Sequence, residues 1–210
     1  MYAKYQLHEH AHFGIFLLLC IVMLFTGIGA FTNYWAIIYD NSYPSDEVGV
    51  GLFFYGDDSP YLTFSAMPSW WQCVTVFMVM AFAFEILMLI WIVAAIVFMK
   101  HNPISHGVNF LLSCLVCLFL WIGIIVWGAG YSNIASYFDV SVSLSWAWGV
   151  SLTAGLFSFG MIAASIFGFI KARNYSYQNQ NHRNHSNQRR HYEHRTEYDY
   201  ERSERRYDRY

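Results

Sequence analysis

Lysine and arginine are nearly missing from the first 170 positions of this 210-residue chain: Lys4 and Lys100 stand alone, and the other ten follow from Lys171 onward. That distribution leaves no basic surface with which the body of the protein would hold nucleic acid. Charge of either sign is scarce, at 12% of residues, whereas 56% are hydrophobic and 20% aromatic. So little charge excludes the surface of an ordinary soluble domain of this size. Cysteine is also thin: there are four, none of them between Asn33 and Gln72, so that stretch has no disulfide staple of its own. Aliphatic residues vanish beyond Arg173, which denies the C-terminal segment a core.

What fills the chain instead is four apolar runs, Phe13–Thr32, Trp71–Met99, Val108–Tyr131 and Trp148–Ile170. At about 1.5 Å per residue, each is long enough to cross about 30 Å of hydrocarbon. The fold class expected is therefore an all-α membrane protein, a four-transmembrane-helix bundle. Positive residues are kept on the cytoplasmic side, which places both termini and the KHNPISHG turn inside and the loops 33–70 and 132–147 outside. Asp40, Asp46, Glu47, Asp57, Asp58 and Asp139 then face outward with no cation among them. Gly27, Gly29 and Ala30 also fit the small residues of a signal-peptide cleavage site, but the weakly basic lead MYAKYQLHEHAH argues for a retained helix.

Pro103 and Gly107 suit a tight break between antiparallel second and third helices. Gly160, Ala164 and Gly168 recur every four residues on the fourth and mark a close helix contact in the bundle interior. In the first outer loop, VGVGLFFY (48–55) and YLTFS (61–65) have the bias of strands and flank the turn-forming GDDSP, a hairpin pattern. Val140, Val142 and Leu144 alternate with serines in the second loop, as a strand with one dry face does. A small extracellular antiparallel β-sheet seated on the bundle is expected, with residues 1–12 and 173–210 as cytoplasmic ends of a membrane domain over 13–172.

This arrangement resembles the claudin, peripheral myelin protein and calcium-channel gamma-subunit superfamily of tetraspan proteins, its invertebrate claudin-like branches included. NYW, ending at Trp35, looks like the tryptophan that closes the family's first helix. Gly51, Leu52 and Phe53 look like its GLW element, and SWAWGVSLTAGLF (145–157) is similar to its entry into the fourth helix. The family usually follows GLW with two cysteines that form a disulfide. Here Gly56 stands near the first expected position, and the loop must depend on apolar residues and on its seat against the bundle.

The resemblance implies a protein of cell–cell contacts whose outer sheet borders a paracellular barrier or passage. Carboxylates on low-dielectric walls attract cations and repel anions. Asp57 and Asp58 are the first candidates for such a lining, and Asp46 and Glu47 the second. Two readings stand beside it: acidic loops that merely keep the exposed surface soluble, and an auxiliary or trafficking subunit of an ion channel or receptor. Self-association in the membrane or with a neighbouring cell is the partnership implied. Asp208-Arg-Tyr210 could add as a strand to a PDZ-type scaffold, though an aromatic end is not the usual one.

Glu85 falls mid-span in MVMAFAFEILML. An ionised acid there costs about 2.5–3.5 kcal/mol, so the residue should face the bundle, protonated or paired, with Ser113, Ser151 and Ser158 as possible partners. Cys114 and Cys117 have the spacing of a redox or zinc motif, which raises a membrane thiol oxidoreductase. No second ligand pair or relay cysteine accompanies them, so we read packing residues and no enzyme. His8, His10 and His12 lack the companions of a metal site, and no cofactor is expected. The tail, polar and rich in Arg and Tyr, reads as disordered and bound near anionic lipid.

Overall fold

The computed structural model describes residues 2–39, 47–53, 67–98, 103–138 and 141–207, and all that follows concerns those residues. The elements are α1 (Tyr2–Phe31), β1 (Ala36–Tyr39), β2 (Glu47–Val50), α2 (Ser69–Phe98), α3 (Pro103–Gly130), α4 (Ser132–Phe138), β3 (Ser141–Leu144) and α5 (Trp146–Tyr207). Four of them, α1, α2, α3 and α5, are long and apolar enough to cross a membrane. Their lipid-facing sides stay apolar, with Leu24, Leu87, Ile90, Leu111, Ile125 and Phe167 all exposed. In hydrocarbon such faces need no partner, and an α-helix satisfies its own backbone, which is why these runs form helices at all.

Since burial from water drives little inside lipid, cohesion has to come from fitted contacts and hydrogen bonds. Phe77 and Phe84 of α2 stack on Phe119 of α3, with ring centroids 5.8 and 5.3 Å apart. Two indoles tie α3 to α5 reciprocally: Trp121 donates to the Gly155 carbonyl at 3.2 Å, and Trp148 donates to the Ile124 carbonyl at 3.3 Å. Gly155 makes the first possible, because a Cβ there would stand 3.0 Å from Ile124 and 3.3 Å from the Trp121 ring.

The sheet has the order β2-β1-β3, antiparallel throughout. Ala36 pairs with Val50 and Leu144, and Tyr39 with Glu47 and Ser141. β1 is therefore central. Its Ala36 and Ile38 are buried toward the bundle, and Ile37 and Tyr39 are half-buried on the other face. The strand expected from the Val142 and Leu144 alternation is present as β3, and both side chains pack on the core.

Several boundaries differ from the sequence expectation. Among the described residues β2 pairs with β1, and the expected partner YLTFS lies outside them; β2 ends at Val50, and Gly51 to Phe53 leave the sheet. Pro103 opens α3 rather than sitting in the turn, a position that suits a residue without an N–H, and Gly107 lies inside the helix. The connection from α3 to β3 carries the short helix α4. The chain forms two compact units, Met1–Phe169 and Ile170–Tyr210. In the second, the tail expected to be disordered is helical as far as Tyr207. It holds no proline or glycine.

Candidate functional site

The end of α1 carries four carbonyls with no partner in their own helix. One of them, that of Gly29, accepts a hydrogen bond from the Trp35 indole, so the tryptophan caps the helix it follows. The same ring is fully buried and meets Trp127 of α3 edge-on, with centroids 5.2 Å apart. Trp127 also meets Trp71 edge-on at 5.3 Å and Trp70 at 5.5 Å, both from the first turn of α2. Four indoles from three places in the chain thus converge where the sheet meets the bundle. Gly130 lets Trp70 in, because a Cβ there would be 2.5 Å from the ring.

Around this cluster the backbone of the sheet is tied down by three hydrogen bonds. Trp35 N–H donates to the Val50 carbonyl at 2.8 Å, and its own carbonyl accepts from Ser145 N–H at 3.0 Å; Ala147 N–H donates to the Tyr34 carbonyl at 3.1 Å. Gly51 then passes directly over the Thr32–Asn33 backbone. A Cβ at Gly51 would collide with the Thr32 carbonyl and stand 2.7 Å from Asn33 Cα. Leu52 is fully buried, its carbonyl accepts from Thr75 of α2 at 3.2 Å, and Phe53 stacks on Phe31 of α1 at 5.8 Å. Trp35, Gly51, Leu52 and Phe53 are therefore brought together as one joint. Trp70, Trp71, Trp127 and Thr75 complete it. Sequence reasoning missed those four, although tryptophans gathered at the ends of apolar runs are the interfacial signal that points to three of them.

The acidic candidates are placed less fully. Glu47 opens β2 opposite Tyr39, but its side chain, with Asp46, Asp57 and Asp58, lies outside what the structure describes, as do Asp208 and Tyr210. Glu85 is fully buried and accepts from the Thr26 hydroxyl of α1 at 2.8 Å through Oε1; Oε2 has no hydrogen-bond partner among the described residues. The three serines expected as partners turn elsewhere. Ser151 and Ser158 donate to Ala147 and Gly155 carbonyls of their own helix, and Ser113 to the Asn109 carbonyl, 3.3 Å from Ser165. Removing the acceptor or the donor leaves the other stranded. Thr26→Val and Glu85→Leu should therefore be non-additive by about 1 kcal/mol in a double-mutant cycle on the protein unfolded from lipid nanodiscs, with Glu85→Gln close to wild type. Strict additivity would refute the pairing.

The small-residue stripe meets two helices. Gly160 faces Leu18 of α1, and Gly168 faces His106 of α3 so closely that a Cβ would be 2.7 Å from Nδ1, while Ala164 packs on the core. Cys114 and Cys117 are free thiols one turn apart within α3, as Cys20 and Cys73 are in α1 and α2.

A family model described as tight junction protein, claudin-like, matches residues 5–185, from α1 into α5 with every connection between. The chain belongs to this claudin-like family. Curated protein sequences give no match. This claudin-like protein is thus a multi-pass membrane protein, and the family match extends across the loop with no cysteine pair.

Proposed function

We propose that this claudin-like protein acts without enzymatic chemistry at contacts between cells. There its sheet faces outward and borders a paracellular barrier or a passage that prefers cations. The observation that carries the reading is the joint itself. A surface can select ions only if its fixed charges are held still, and β1 and β2 are held by Trp35, the Val50 carbonyl and Leu52. The register supports it further: Tyr39 opposite Glu47 makes residues 40–46 the closing connection of the hairpin, so Asp40 and Asp46 are each next in sequence to a paired residue. Asp57 and Asp58, four and five positions beyond Phe53, remain the first candidates for the lining. Orientation is inferred from the basic residues, none of which falls in loops 33–70 and 132–147.

The test is the dilution potential of a polarised cell layer expressing the protein. Asp57→Asn with Asp58→Asn should lower the sodium-over-chloride permeability ratio by roughly two- to fivefold, and Asp46→Asn with Glu47→Gln by less. If both pairs reach the contacts and leave the ratio unchanged, the acids only solubilise the loop. If the wild-type protein never alters layer conductance but co-purifies with a channel, the contact role itself falls.

A further inference from the structure

Two aromatic rings stand in the open at the end of the bundle that carries the sheet. Tyr34 is 40% exposed and Trp146 51% exposed, and they stack on each other with centroids 5.9 Å apart and planes 29° from parallel. Their backbones are nonetheless firmly held. Ala147 N–H donates to the Tyr34 carbonyl at 3.1 Å, Ser145 N–H donates to the Trp35 carbonyl at 3.0 Å, and the chain neighbours Trp35 and Ala147 are fully buried. Gly49 leaves the Tyr34 ring its place, since a Cβ there would stand 2.9 Å from it. The fold thus positions a pair of rings that it does not bury. Their depth is set as well: the apolar spans run His12–Phe31 and Trp146–Gln178, so Trp146 opens one span and Tyr34 lies three residues past the end of another. Both rings therefore sit at the boundary of hydrocarbon and water, where lipid headgroups lie.

Nothing in the proposed passage or barrier uses this pair. From its exposure, depth and surroundings, we propose that the Tyr34–Trp146 stack binds the choline headgroup of a bilayer lipid in the leaflet on the sheet's side. A stack occupies one face of each ring and leaves the other face to the surroundings. The face of an aromatic ring is negative, that of an indole attracts cations best, and quaternary ammonium groups are the cations such faces recognise. A trimethylammonium group also has no N–H for water to hold, so it gives up little hydration on reaching a ring. Charge around the site has the matching sign. Loop 33–70 carries five carboxylates, loop 132–147 carries Asp139, and neither contains a lysine or an arginine. Such a field draws the positive end of a zwitterionic headgroup toward the rings. The primary ammonium of an ethanolamine lipid feels the same field, but it is compact and strongly hydrated, as a lysine ammonium is, and loses more by leaving water. The pair therefore selects by methylation of the headgroup nitrogen rather than by charge alone.

The experiment is native mass spectrometry of the full-length protein released from nanodiscs that hold phosphatidylcholine and phosphatidylethanolamine with the same acyl chains in equal amounts. Among protein molecules that retain a single lipid, phosphatidylcholine should exceed phosphatidylethanolamine by roughly two- to fivefold. Tyr34→Leu with Trp146→Leu should bring the ratio to about one, whereas Tyr34→Phe with Trp146→Phe, which keeps two ring faces, should hold part of the preference. Equal retention by wild type would make the rings an apolar anchor at the boundary and nothing more, which overturns the choline site. A preference that survives the leucine pair overturns it as well, because the lipid is then held elsewhere. Should the leucine variant not fold, wild type decides through ethanolamine lipids that carry one, two and three N-methyl groups. Retention should climb with methylation, and a flat series refutes the contact with the rings.

Discussion

Trp127→Ala should destabilise the protein by about 3–5 kcal/mol, the range for deleting a large aromatic from a packed interior. The ring is fully buried and touches Trp35, Trp70 and Trp71, which come from just before β1 and from the first turn of α2. Those three indoles are fixed by other bonds: Trp35 by the Gly29 carbonyl, and the α2 turn by the Trp71 and Gln72 amides donating to the Pro68 carbonyl. They cannot all slide into the space vacated, so most of the cavity persists, and the energy scales with the cavity left. Trp127→Phe should recover more than half of the loss. Trp146→Ala is the control, because that ring is 51% exposed and stacks on Tyr34; it should stay within about 1 kcal/mol. Unfolding of the nanodisc-embedded proteins measures both, and hydrogen exchange locates the damage. Amides of β1, β2 and β3 should lose protection before those at the start of α3. If Trp127→Ala costs no more than Trp146→Ala, the sheet is seated by something else.

The spans were legible because hydropathy over twenty or more residues is a one-dimensional property that the bilayer imposes residue by residue. The ends of the helices were not, since α3 gains Pro103 to Gly107 and α5 runs on to Tyr207 in segments whose composition reads as turn or disorder. β3 showed itself by alternation, as a strand at the sheet's edge with one packed face does. β1 gave no such signal: a central strand contacted on both faces reads AIIY, four apolar residues without alternation, directly after an apolar helix. Glu85 was legible as a bundle-facing acid, but its partner was not. Serines in apolar helices satisfy their hydroxyls on the carbonyl three or four residues back, as Ser151 and Ser158 do, so their presence in a span says little about what they reach.

The GLF element was read from resemblance, yet its physical reason is visible only in three dimensions. The backbone at Gly51 crosses the Thr32–Asn33 segment where α1 hands over to β1, and that crossing lets Leu52 reach the bundle and Thr75. Without a disulfide across the loop, the angle at which β2 leaves the sheet is set by how closely these two strips of backbone approach. Gly49 repeats the arrangement two residues earlier, where a Cβ would be 2.7 Å from the Asn33 carbonyl and 2.9 Å from the Tyr34 ring.

A methyl group at Gly51 therefore meets backbone, which cannot rotate away as a side chain can. Gly51→Ala should cost about 2–3 kcal/mol, near the upper end for overpacking, because relief requires lifting β2 off the α1 terminus and breaking the Trp35–Val50 bond. Gly49→Ala should cost less, since part of its clash is with the Tyr34 ring, which is 40% exposed and able to yield. Gly149 supplies the opposite expectation: it lies inside α5 with nothing within 4 Å of a built Cβ. There Gly149→Ala should stabilise by about 0.5–1 kcal/mol through helix propensity alone. Thermal unfolding of the three variants in nanodiscs should thus order Gly149→Ala above wild type, Gly49→Ala below it and Gly51→Ala lowest. A Gly51→Ala protein as stable as wild type would mean that the approach of β2 to α1 is loose. The sheet would then lack the rigidity that fixed charges need in order to discriminate between ions.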